Sequence, residues 1–161
     1  MNIRYLTKAS LIAAIYIVLV IIQVVIFPSW FAFGEIQLRV AEGLTILPLV
    51  ESAAIPGLFV GCLVANLILS FSGFGLIDII GGSLITLLAA ILTSKAKNKY
   101  IGILPPVILN GLIVSIWVSY FTKIPYILTV LGISSGQLLS LLIFGNLFLY
   151  AYEKASNIRD Y

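Results

Sequence analysis

The strongest constraint on this chain is a succession of apolar runs of roughly bilayer-crossing length, with the charges confined almost entirely to the breaks between them. The first run, Leu6 to Phe27, meets only Thr7, Lys8 and Ser10 near its start and Gln23 near its end as strongly polar residues. A spanning helix needs about 20 mostly apolar residues, which this run supplies. Composition extends the demand to the whole chain. Of its 161 residues 61% are hydrophobic and 9% charged, with a mean hydropathy of +1.19, whereas ordinary soluble domains are about 45–50% apolar and about 25% charged. Too little polar surface exists to face water, so lipid must be the solvent.

The breaks divide the chain into runs over residues 6–27, 38–50, 53–71, 76–93, 100–121 and 136–152. Pro28-Ser29-Trp30 ends the first, within an aromatic cluster (Phe27, Trp30, Phe31, Phe33) suited to a membrane interface. Pro56 falls in the first turn of the third run, where proline is tolerated. Ser72-Gly73-Phe74-Gly75 turns into the fourth, and Lys95-Ala96-Lys97-Asn98-Lys99 is a loop. Pro105-Pro106 is expected to kink the fifth run. The last begins between Tyr126 and Gln137, with Ser134-Ser135-Gly136 obscuring its start. The expected fold is all-α: a polytopic membrane protein, one domain of six transmembrane helices. The first run, lacking a small-residue cleavage site, is expected to be a retained helix and not a signal peptide.

Charge sets the orientation. With six spans both termini share a side with the Lys95–Lys99 loop, which collects Arg4, Lys8, Lys95, Lys97, Lys99, Lys154 and Arg159 and leaves Arg39 and Lys123 opposite. Basic residues favour the cytoplasmic side, so both termini are expected there, in the cell membrane. The net charge of +3 is explained by these loops and needs no nucleic-acid partner. One cysteine, Cys62, and no histidine exclude an internal disulfide and any His- or Cys-rich metal site. No phosphate loop, nucleophile elbow or zinc signature is present. No enzyme activity is expected, and no cofactor bound by the chain.

The same orientation gathers polar groups in the outer half. Glu35, Gln37, Arg39 and Glu42 lie where the second run enters, Asn66 near the outer end of the third, Asp78 at the start of the fourth, Trp117 and Tyr120 at the end of the fifth, and Gln137 near the outer start of the sixth. Asn110 lies within the fifth. Charged groups at mid-membrane cost roughly 2.5–3.5 kcal/mol, so they face a bundle interior or a wet cavity. If 34–50 is helical, Arg39 sits at i,i+4 to Glu35 and i,i+3 to Glu42, giving either a structural ion pair or a carboxylate left over for a ligand. Asp78 is either a helix N-terminal acid or a ligand acceptor. Asn66 and Asn110 are interhelical links or ligand contacts, and Trp117 an interface anchor or a stacking surface. Ala9 and Ala13, like Ser10 and Ala14, have the small-xxx-small spacing that admits another helix, within the chain or from a partner. A pocket for a small polar solute to be imported is the expected function. The rivals are an autonomous proton-coupled carrier working through Glu42 and Asp78, and a structural membrane protein whose polar groups lock helices.

The segments Gln37-Leu38-Arg39-Val40-Ala41-Glu42-Gly43-Leu44-Thr45-Ile46-Leu47-Pro48, Ala54-Ile55-Pro56-Gly57-Leu58-Phe59-Val60-Gly61-Cys62 and Gly75-Leu76-Ile77-Asp78-Ile79-Ile80-Gly81-Gly82-Ser83 resemble the QueT family, whose members are substrate-binding S components of energy-coupling factor (ECF) transporters. The resemblance implies uptake of a queuosine precursor, a 7-deazaguanine such as the aminomethyl or cyano base. It implies a six-helix bundle binding solute near the outer surface, partnered by a membrane coupling subunit and two cytoplasmic ATPases that use the ATP. It also implies docking of the coupling subunit on an Ala-x-x-x-Ala pattern of the first helix, matched by Ala9 and Ala13. A deazaguanine presents adjacent N–H donors to a carboxylate such as Glu42 or Asp78 and a planar ring to Trp117.

Overall fold

The computed structural model describes residues 2–26, 38–69 and 74–156. Every regular element among them is helical, as apolar segments in lipid require if each backbone polar group is to be satisfied within its own segment. The helices are α1 (Ile3–Ile26), α2 (Val40–Leu49), α3 (Ala54–Ile68), α4 (Ile77–Thr93), α5 (Lys99–Thr122) and α6 (Tyr126–Ser156). Of these, α1, α5 and α6 are long and apolar enough to cross a membrane, while α2, α3 and α4 are shorter apolar helices.

The second run is not the regular α-helix its sequence suggests. α2 is a 3-10 helix whose residues from Ala41 to Pro48 are all buried. At about 2 Å per residue it rises only about 20 Å. A helix apolar on all sides is a core helix, and α2 forms the axis of the bundle, touching each of the other five. Three local features favour the tighter coil. Arg39 enters extended, at φ −111° and ψ 104°. The Thr45 hydroxyl donates to the Glu42 carbonyl at 2.7 Å, competing with the α-helical ladder, and Pro48 has no N–H to give. Gly43 lets the coil touch α6: a Cβ there would lie 2.7 Å from Cβ of Phe144.

α1 and α3 pack along a seam of small residues. A Cβ on Gly57 would fall 2.7 Å from the carbonyl oxygen of Ala9, and one on Gly61 3.1 Å from that of Ala13. Ala9 and Ala13, expected at a partner surface, are therefore buried inside the chain, while Ser10 and Ala14 beside them are exposed.

α6 begins at Tyr126, the early limit of the expected window from Tyr126 to Gln137 and ten residues before the last run's start at 136. Lys123, in the left-handed region at φ 63°, closes α5, and Pro125 then leads directly into the helix. The 134–136 segment stays helical because α5 crosses it closely, with Gly111 facing Ser134. Pro105 and Pro106 sit inside α5 without ending it. Pro106 cannot donate to the Gly102 carbonyl, and the Thr93 hydroxyl donates to that oxygen instead, at 3.0 Å. Widened π turns interrupt α4 at Ile77–Gly82, α5 at Asn110–Val114 and α6 at Leu141–Gly145.

Candidate solute-binding site

Among the described residues, the candidate polar groups gather in two clusters, one buried and one part-buried, linked by Cys62. The first surrounds Glu42, whose carboxylate is 3% exposed. The Tyr16 hydroxyl of α1 donates to Oε1 at 2.7 Å and the Gln137 amide of α6 to Oε2 at 3.2 Å. Gln23 of α1 fixes the entry to α2 by donating to the Leu38 carbonyl at 2.8 Å and accepting from the Val40 N–H at 2.7 Å. Ser140 of α6 accepts from the Arg39 N–H at 2.9 Å. Helices α1 and α6 thus clamp the first turn of α2 and hold Glu42 between them.

Beside this clamp lies a cavity of about 10 Å³ lined by Arg39, Asn110, Val114, Ile133 and Gln137, room for about one water molecule. Asn110 is buried, and no described residue hydrogen-bonds its side-chain amide. It opens the π turn of α5, a deviation that recurs at functional sites. One turn on, the Ser115 hydroxyl is buried with no hydrogen-bond partner among the described residues. Polar groups so placed are normally satisfied by protein or ordered water.

The second cluster joins α3, α4 and α5. Trp117 Nε1 donates to Asp78 Oδ1 at 2.7 Å, and the Phe74 N–H to Oδ2 at 3.1 Å. Asn66 donates to the Asp78 carbonyl at 2.8 Å and lies 3.5 Å from Cys62 Sγ. Thr86 donates to the same sulfur at 3.5 Å, and the thiol also neighbours Tyr16 and Glu42. Trp117 is buried, its ring lying over Gly81, so it is not an interface anchor.

Of the residues singled out in the sequence, Arg39, Glu42, Asn110 and Gln137 meet around the cavity and its clamp. Asp78, Asn66 and Trp117 meet one another in the second cluster. Gln37, with Glu35, lies outside the described residues. The side-by-side placement of Arg39 and Glu42 on one helical face is replaced: Arg39 precedes the helix, exposed, and Glu42 points into the core with Tyr16 and Gln137 on its oxygens. Sequence reasoning passed over Tyr16, Cys62, Thr86 and Ser140. Tyr16 carries the one usable signal, a hydroxyl in the middle of an otherwise apolar run.

Neither curated proteins nor solved structures gave a match to the chain. The model of the family described as QueT transporter matches residues 6–154, nearly its whole length. The chain is thus a membrane protein and not an enzyme, and it belongs to the QueT transporter family.

Proposed function

We propose that the chain is the S component of an ECF-type importer, binding a queuosine precursor of the 7-deazaguanine class on the outer side and relying on a coupling subunit and two ATPases for energy. Six passes and cytoplasmic termini complete the reading. The supporting observation is Glu42. A carboxylate in a membrane core is costly unless its charge is satisfied. Tyr16 and Gln137 occupy two of its roughly four acceptor positions, leaving capacity for adjacent N–H donors of a deazaguanine edge. Asn110 and Arg39 face the neighbouring cavity with further donors. An aminomethyl substituent adds a cation that a buried carboxylate favours.

Pockets for drug-sized ligands measure about 300–1,000 Å³, against about 10 Å³ for this cavity. Admission of a two-ring base requires α5 and α6 to part around Arg39. The Asp78–Trp117 pair lies on the far side of Cys62 and supplies a second acceptor and a ring. Ser10 and Ala14 are the small residues of α1 left facing outward for a coupling helix to approach.

Thermal-shift screening of the purified protein with aminomethyl- and cyano-deazaguanine, guanine, adenine and common vitamins tests the ligand class. A deazaguanine that binds raises Tm by mass action, and Glu42→Ala removes the shift while leaving membrane insertion intact. A shift for a vitamin alone reassigns the solute. Uptake by the chain in vesicles without ATPase partners, collapsing with the proton gradient, contradicts the ECF assignment.

A further inference from the structure

At the opposite end of the bundle from Glu42, an open groove of about 550 Å³ runs between the end of α2, the start of α5 and the last turns of α6. Its lining includes Lys97, Lys99, Tyr100, Asn146, Tyr150 and Glu153. The two lysines are weakly held. Lys99 Nζ lies 3.4 Å from Asn146 Oδ1 and 5.3 Å from the centre of the Tyr100 ring, and Lys97 has no ion pair or hydrogen bond with any described residue. Neither lysine is matched to Glu153, although all line one groove. Tyr100 and Tyr150 are 70% and 64% exposed, as aromatic residues are at the headgroup level of a bilayer. Toward the middle of the bundle, Ile101 and Leu104 on α5 and Ile143 and Leu147 on α6 continue as exposed apolar surface.

A groove whose mouth is basic and aromatic and whose continuation is apolar matches a molecule with an anionic head and hydrocarbon tails. We propose that this groove binds the phosphodiester headgroup of an anionic phospholipid: Lys97 and Lys99 hold the phosphate, Glu153 accepts from a hydroxyl of the headgroup, and the acyl chains lie along α5 and α6. Basic pockets between helices on the cytoplasmic side capture such headgroups, and this end carries Arg4, Lys8, Lys95 and Lys154 as well. The site is independent of the solute bound at the other end.

The test is the thermal stability of the detergent-purified protein titrated with short-chain phosphatidylglycerol, short-chain phosphatidylcholine or inorganic phosphate. Phosphatidylglycerol is expected to raise Tm by several degrees and to bind about tenfold or more tighter than phosphatidylcholine. The K97Q/K99Q double variant should lose this preference, K97R/K99R should keep it, and Lys95→Gln, a lysine outside the groove lining, should keep it too. The proposal is overturned by equal responses to the two lipids, by an unchanged preference in K97Q/K99Q, or by an equal loss in Lys95→Gln, which signals diffuse charge attraction. An equal shift from inorganic phosphate also overturns it, since the site then takes a free anion and not a lipid.

Discussion

At the scale of single residues, the two acids of the polar clusters differ in burial, Glu42 being buried and Asp78 only part-buried. Asp78 has each oxygen engaged by a protein N–H, from Trp117 and from the Phe74 backbone. Trp117→Phe keeps most of the ring and removes the donor, leaving a part-buried acceptor short of a partner, a change that costs about 1 kcal/mol. Lower Tm with solute affinity within about twofold of wild type identifies that pair as structural; a large loss of affinity at unchanged Tm places it in the pocket. Glu42 likewise has one neutral donor on each oxygen, but both are side chains of other helices and the carboxylate is more deeply buried. That this acid needs a protected environment is readable from sequence, because a carboxylate in an apolar run has few tolerable surroundings. Its partners were not. Nothing in the local sequence ties Tyr16 or Gln137 to Glu42, since contacts across 26 and 95 residues of chain are set by helix packing.

At the scale of elements, the sequence predicts helix wherever it predicts membrane, and the long runs behave so. The exceptions are instructive. Residues 38–50 read as one more apolar span, but hydropathy does not distinguish a lipid-facing helix from one wrapped by protein, and α2 is the latter. Ser134-Ser135-Gly136 reads as a break, yet small residues in a membrane helix also mark close crossing of a neighbour, as α5 shows there. The α1–α3 seam follows the same rule. Gly57→Val puts branched carbon against the Ala9 carbonyl, and overpacking of that kind costs about 1–3 kcal/mol or more. The expected result is a lower Tm and protease sensitivity, whereas Ala14→Val, on the exposed side of α1, should leave stability within about 0.5 kcal/mol of wild type.

Beyond helix packing, a polar tie joins the ends of three elements. Lys8 of α1 and Tyr152 of α6 both hydrogen-bond Glu51, in the loop between α2 and α3. Burial raises the Glu51 carboxyl, but the hydrogen bonds from Lys8, Tyr152 and the Ala53 N–H together outweigh it and hold the carboxyl below its ordinary value of 4.5. Stabilisation from this group is therefore complete above about pH 4.5 and is lost as pH falls through the lowered value. Lys8 is half-exposed, which limits its pairing to about 1 kcal/mol or less. Thermal melts between pH 6 and pH 3 should show this acid-dependent loss in wild type and a flatter profile in Glu51→Gln; identical profiles remove Glu51 from the account.

For the molecule as a whole, the arrangement is a short buried axis, α2, surrounded by α1 and α3 to α6, with basic residues at one end and the carboxylate clamp toward the other. Because Cys62 is the only cysteine, a Cys62→Ala background allows topology to be read one site at a time. A membrane-impermeant maleimide applied to intact cells should label K123C and spare K97C until the cells are opened. The reverse pattern inverts the bundle and puts the carboxylate clamp on the cytoplasmic side. The measurement that bears most directly on function is calorimetric titration of the purified protein with aminomethyl-deazaguanine, comparing wild type with Glu42→Gln, which keeps the side chain's shape while removing its charge. Saturable binding in wild type, weakened at least about tenfold in Glu42→Gln with the melting temperature preserved, is the predicted outcome. Equal affinity in the two proteins would contradict a solute held by the Glu42 carboxylate.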